Sequence, residues 1–282
     1  MDSLVSTKWL AGELGASDLK VIDASAHLPA KNRDPRAEFA AAHIPGALFL
    51  DLGSLKDAGS PVPNALPTAA QFAERMAKLG IGRDDRIVIY DDSDVKTSSR
   101  AWFILRMNGL RNVALLDGGI AKWKAEGRPL ERGEAFGESI AAQEAQSDWR
   151  NVRSKTDVIA NVDSRAEQVI DARDAGRFTG ETPDTIHNLP GGHIPGARNL
   201  FFGDLFAADG TFKSKGDLRA AFERAGVDLS RPIVTSCGSG VTASVLLFAL
   251  HLLGIDDAAL YDGSWSEWGA DPATPKETGV AR

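Results

Sequence analysis

Cysteine occurs once in the chain, at position 237, in a stretch (236–244) that reads SCGSGVTAS. A thiol set among glycines and small hydroxyl residues has room for a ligand on its sulfur. Gly238 and Gly240 let the backbone curl until several N–H groups converge on one point. If the stretch leads into a helix, its unpaired amides and the positive end of the helix dipole favour the thiolate, the form that acts as a nucleophile. The competing reading is a small buried hydrophobe, the common fate of a lone cysteine. The flanking glycines favour chemistry. Phosphatase chemistry is not expected, because a related loop would end in a phosphate-gripping arginine, and the sixth and seventh positions after Cys237 are Ala243 and Ser244.

The elements that must hold this loop are written twice. VIDAS (21–25) returns as VIDAR (169–173), and HIPGA (43–47) returns unchanged at 193–197. RIVIYDDSDVKTSS (86–99) matches PIVTSCGSGVTAS (232–244), which sets Asp91 opposite Cys237, and LLDGGIAKW (115–123) matches LYDGSWSEW (260–268). The four blocks keep their order at offsets of 148, 150, 146 and 145 residues. A period that long makes each copy a whole domain rather than a solenoid repeat. The boundaries expected are 1–130 for the first domain, 131–150 for a polar linker and 151–282 for the second.

Within each copy KVIDA or QVIDA, then RIVIY or PIVTS, read as short buried parallel strands. TAAQFAERMAKLGI and SKGDLRAAFERAGVD read as amphipathic helices before the second strand of each pair. SSRAWFILRMNGL and TASVLLFALHLLGI read as helices after it, each stopping at glycine. Alternating strands and helices predict an α/β fold, two tandem domains each with a parallel sheet flanked by helices. Cys237 then falls where a strand hands over to a helix, at the sheet edge where ligands bind in open α/β folds.

Composition narrows the partners. A formal charge of −7 and a pI near 5.3 argue against nucleic acid or an anionic membrane. A single cysteine makes no internal disulfide and fits a reducing compartment. The N-terminal stretch lacks a basic start followed by a long apolar run, and the apolar segment 241–255 is too short to span a bilayer and contains His251. The expectation is a cytoplasmic protein, with that segment a core helix and His251 a satisfied core histidine.

On these residues the sequence resembles the tandem-domain rhodanese superfamily over nearly its whole length. Its CGSGVTA loop resembles the active loop of the 3-mercaptopyruvate sulfurtransferases. Thiosulfate-specific relatives usually carry basic residues just after the cysteine, and this loop has none.

The resemblance implies that the Cys237 thiolate takes sulfur from 3-mercaptopyruvate as a persulfide, releasing pyruvate. A thiol such as thioredoxin or glutathione, or cyanide, then removes the sulfur, with no metal or organic cofactor. It implies that the loop Gly238, Ser239, Gly240, Val241 and Thr242 cradles the transferred group. Arg177 in GRF binds the donor carboxylate, and Arg173 is structural. Ser239 hydrogen-bonds the donor carbonyl or relays a proton, and in some members such a serine is paired with a histidine and an aspartate of the first domain, here His43 and Asp34. For His43 a packing or capping role stands beside the catalytic one, since His193 holds the same place in the other copy. With Asp91, Asp92 and Asp94 in its loop, the first copy is expected to be non-catalytic scaffold that repels anions.

One departure is plain. Such enzymes usually have a second arginine seven residues before the second HIPG histidine, and here that position is Ile186, with His187 beside it as a substitute at low pH. The departure keeps thiosulfate open as the alternative donor. A non-catalytic sulfur carrier is the reading from another class.

Overall fold

The structure, a computed structural model, describes residues 1–281. Two compact units emerge. The first holds Met1–Asp57, Leu66–Asp148 and Ala207–Phe212; the second holds Ala58–Ala65, Trp149–Phe206 and the chain from Lys213 on.

Each unit is built on a five-stranded, wholly parallel sheet. In the first, β1 (Leu4–Val5), β2 (Leu19–Asp23), β3 (Ala47–Phe49), β4 (Arg86–Tyr90) and β5 (Val113–Leu116) lie in the order β1-β5-β4-β2-β3. In the second, β6 (Val152–Arg153), β7 (Gln168–Asp171), β8 (Arg198–Asn199), β9 (Ile233–Ser236) and β10 (Ala259–Tyr261) repeat it as β6-β10-β9-β7-β8. The α/β expectation and the duplicated architecture hold. β9 is buried along its whole length, which is why it reads as an unbroken run rather than an alternation.

The amphipathic helices expected before the central strands are Ala69–Lys78, which buries Phe72 and Met76 and starts on a Thr68–Gln71 capping box, and Lys215–Arg224, which buries Leu218, Ala221 and Phe222. The helices after them, Thr97–Met107 and Ala243–Leu252, begin at equivalent positions of the two copies. In the second, every residue from Ala243 to Leu250 is buried. Burial of a Leu or Phe side chain is worth roughly 1.5–3 kcal/mol, so Leu246, Leu247, Phe248 and Leu250 fix this helix and the loop before it. His251, near its end, pairs with the exposed Asp256 and is half-buried, so it has a partner but lies at the edge of the core rather than inside it.

The repeated HIPGA block has a structural explanation in both units. His43 exchanges two backbone hydrogen bonds with Glu131, and Gly46 N–H donates to the Glu131 carboxylate at 2.8 Å. His193 exchanges the same pair with Glu277, and Gly196 N–H donates to the Glu277 carboxylate at 2.9 Å. Residues 131–148, expected as linker, are laid along the first unit through backbone bonds such as Gly133 N–H to Ala40, Ile140 N–H to Ala77 and Asp148 N–H to Met107.

The two units differ beneath their central strands. Asp23, at the end of β2, is buried, and burial pushes its carboxyl up to about 6 despite hydrogen bonds from Ser25 and Tyr90. The folded unit therefore binds this proton more tightly than the unfolded chain, whose value is 3.8. The stability it contributes is full below that value and is lost as pH rises through about 6. Wild type should lose thermal stability relative to Asp23→Asn between these two pH values, by up to about 3 kcal/mol, and the difference should then level off. Melting curves of the two proteins across that window check this; parallel pH dependences would refute it.

Candidate active site

Cys237 follows β9 directly. Asp171 of β7 is level with Ser236 in the sheet register, so the loops leaving the two strands start side by side, with Ala172 N–H donating to Ser236 O at 2.9 Å. The loop after β10 closes the other flank. Cys237 N–H donates to Ser264 Oγ at 3.1 Å, and that hydroxyl donates to Tyr261 O. Trp265 N–H and Ser266 N–H donate in turn to the carbonyls of Cys237 and Gly238, at 2.9 and 2.8 Å. Three hydrogen bonds thus pin the backbone of Cys237 and Gly238.

The cysteine is 1% exposed. Gly240 takes φ +77°, the left-handed region in which an L side chain is strained, and Ser244 Oγ donates to its carbonyl at 2.9 Å. The backbone N–H groups of Gly238, Ser239, Val241 and Thr242 have no acceptor among the described residues, and neither does the Ser239 hydroxyl, although Ser239 is buried. Gly238 and Ser239 are buried and Val241 and Thr242 half-buried, and amide donors shielded from water without partners cost free energy. A loop that keeps several of them beside a thiol is built to receive an anionic or polar group.

The two arginines differ in burial and partners. Arg173 is 1% exposed. Its guanidinium holds Asp171 through Nε and Nη2, donates to Gly192 O at 2.7 Å, reaches Asp184 at 3.5 Å and stacks on Trp265 at 4.6 Å. Burial works against its charge, yet Asp171, Asp184 and Cys237 together raise its pKa. Arg173 is thus a buried cation under the loop. Arg177, in the short helix Ala175–Thr179, is clasped by Asp174 at 2.6 Å and lies 3.5 Å from Asp184, and its Nη2 has no partner among the described residues.

Asp184 joins these groups. It is fully buried, and its Oδ1 also meets His187 Nδ1 at 2.9 Å. Burial pushes its carboxyl up, but the His187 hydrogen bond and the charges of His187, Arg177 and Arg173 overcome this and hold it at about 2. The His187 ring lies against Gly238 so closely that a Cβ there would sit 2.1 Å from its Cε1. Glycine at 238 is therefore a requirement of packing as well as of turning. Asp184 and Ser264 were not singled out from the sequence. The only signal for Ser264 was its place inside a repeated block.

His43 is placed in the first unit, 2% exposed, with Nδ1 donating to Phe39 O at 2.8 Å and the ring stacked on Phe39 at 4.0 Å. His193 does the same with Phe178, at 2.9 and 3.9 Å. The two histidines share one packing geometry, in copies of which only one carries a cysteine loop. Asp34 is likewise occupied, its Oδ1 capping a helix by accepting from Arg36 and Ala37 N–H at 3.0 Å each. Ile186 is 45% exposed.

The acidic residues of the first copy's loop are all paired. The Asp91 carboxylate accepts from Ser93 N–H at 3.2 Å and from Ser98 N–H at 2.6 Å, filling amides of its own loop. Asp92 pairs with Arg33 and Asp94 with Lys31, so the acidic residues are neutralised rather than free to repel anions.

Comparison with known proteins follows this geometry. The family profile of the rhodanese-like domain matches residues 6–126 and 154–271. The chain is 40% identical over 272 residues to 3-mercaptopyruvate sulfurtransferase of Mus musculus, covering 94% of this chain and 91% of that one. It is also 40% identical over 273 residues to thiosulfate sulfurtransferase of Gallus gallus, covering 94% and 93%. Among solved structures it is similar to SseA from Escherichia coli, a 3-mercaptopyruvate sulfotransferase with the rhodanese fold, with a TM-score of 0.84, 37% identity and coverage of 94% and 99%.

Proposed function

The chain belongs to the rhodanese family, and from that membership we propose a sulfurtransferase that moves sulfur from 3-mercaptopyruvate to a thiol or cyanide through a persulfide on Cys237. The observation that carries this is the loop 237–242, a lone thiol followed by small residues whose amides have no acceptor of their own. The thiolate attacks the donor sulfur, an S–S bond forms, the C–S bond breaks and pyruvate leaves. The free amides of Gly238, Ser239, Val241 and Thr242 then stabilise the sulfur that remains, as an oxyanion hole stabilises oxygen. Ser239 supplies a hydrogen bond to the donor carbonyl. A thiol acceptor such as thioredoxin or glutathione removes the outer sulfur and returns the thiolate. An enzyme that carries its sulfur on a lone free thiol works in a reducing compartment, which we take to be the cytoplasm.

Arg177 is the cation for the donor carboxylate, because its Nη2 is unused while every guanidinium nitrogen of the buried Arg173 already has a partner inside the fold. A charge-assisted hydrogen bond is worth roughly 1.5–3 kcal/mol. Arg177→Ala should therefore raise the KM for 3-mercaptopyruvate about ten- to a hundredfold, with a smaller effect on kcat. Steady-state kinetics decide it, and an unchanged KM would move the carboxylate site elsewhere.

The test of the function itself is pyruvate release from 3-mercaptopyruvate with excess thiol acceptor, beside sulfite release from thiosulfate. Sustained pyruvate release at the higher kcat/KM supports the reading. A preference for thiosulfate would make that the donor, and a single loading without turnover would make the protein a carrier.

A further inference from the structure

The chain has five histidines, and four are tied into the fold: His43 and His193 stacked under their HIPGA turns, His27 on Glu38 and His251 on Asp256. His187 differs. Its ring packs on Gly238, the residue after the cysteine. Nδ1 meets the buried Asp184, and Nε2 has no partner among the described residues. Asp184 also receives the His187 backbone N–H at 3.3 Å, so carboxylate and ring are locked in one orientation. The carboxylate is ionised and can only accept, so Nδ1 carries the proton of the neutral ring and Nε2 presents a lone pair. A buried acid that fixes tautomer and direction, with the far nitrogen left open, is the layout of an oriented base.

We propose that His187, positioned by Asp184, shuttles the proton in the step that loads sulfur from 3-mercaptopyruvate. This rests on the function proposed above. The step conserves protons. The donor enters as a thiol and departs as pyruvate, whose methyl group holds one hydrogen more than the donor's methylene. As the Cys237 thiolate attacks, Nε2 takes the S–H proton. The C–S bond breaks with its electron pair on carbon, which is reduced by two electrons while the two sulfurs are oxidised to the persulfide. Nε2–H then delivers the proton to the enolate carbon, and His187 ends neutral, as it began. The groups around the ring suit this cycle. Asp184 steadies the transient imidazolium, and Arg173 and Arg177, on the same carboxylate, keep that acid ionised throughout.

Thiosulfate provides the control, because its sulfite leaving group needs no proton on carbon. Two variants separate chemistry from packing: His187→Gln removes the titratable nitrogen, and His187→Phe keeps a ring against Gly238. Single-turnover pyruvate formation should fall about a hundredfold or more in both, while persulfide loading from thiosulfate, read by intact mass, changes no more than about threefold. The wild-type pyruvate burst should also slow in heavy water, and the residual rate of the variants should not be restored by the ring of Phe. An undiminished burst in His187→Gln, or equal slowing with both donors, would overturn the shuttle while leaving the sulfurtransferase intact. Wild type that loads from thiosulfate but releases no pyruvate would overturn the function and the shuttle together.

Discussion

Replacement of Cys237 by serine is expected to abolish sulfur transfer outright while leaving the fold unchanged. The side chains are close in size, and the residue's backbone bonds, to Ser264 Oγ and from Trp265 N–H, are ones that serine keeps. What is lost is the atom that forms the S–S bond, and no second cysteine exists to replace it. Intact mass after treatment with 3-mercaptopyruvate should show one added sulfur on wild type and none on Cys237→Ser, and turnover should fall to the uncatalysed background. Turnover near wild type would remove Cys237 from the mechanism.

The largest effect on stability is expected from Arg173→Met. Arg173 is enclosed with Asp171 and Asp184, themselves 3% and 0% exposed, and lies over the Trp265 ring. Methionine fills much of the same volume but leaves Asp171 buried with no cation. Breaking a buried pair by removing one partner typically costs about 3–5 kcal/mol, because the remaining charge stays uncompensated. The midpoint of denaturant unfolding of the second unit, followed through Trp265 and Trp268 fluorescence, should drop accordingly. Adding Asp171→Asn to Arg173→Met should recover part of the loss by removing the stranded charge. A double variant no better than the single one would show that stacking on Trp265, rather than charge, is what Arg173 provides.

How far the sequence reached depended on whether a residue's surroundings were local. The strands before Asp171 and Cys237 were legible because a central parallel strand is apolar throughout, and duplication printed each signal twice. Cys237, its glycines, Arg173 and Arg177 stood out for the same reason, since each sits one to six residues beyond a strand end. Asp184 was not. It stands in a polar run without period, and its burial is created by Arg173, Arg177 and His187 arriving from one side and by the loop beyond them. The packing of His43 was legible too, because an identical block in a copy without a cysteine marks a demand of the fold. The segment 131–148 looked free because it has few apolar residues, yet it is held by backbone bonds, which composition does not reveal.

The Glu131 and Glu277 clamps bear on how the protein is made. Each unit closes its HIPGA turn with a glutamate that lies well past its last strand, so neither can be completed while that glutamate is still inside the ribosome. Units of this kind fold in order during synthesis. For the first, the final turn must wait until the chain has emerged beyond Glu131, after which residues up to Asp148 can settle along it. For the second, the final turn must likewise wait until the chain has emerged beyond Glu277. During translation the cysteine-bearing half is therefore the later to mature, because its clamping glutamate follows that of the first half by 146 residues (277 − 131).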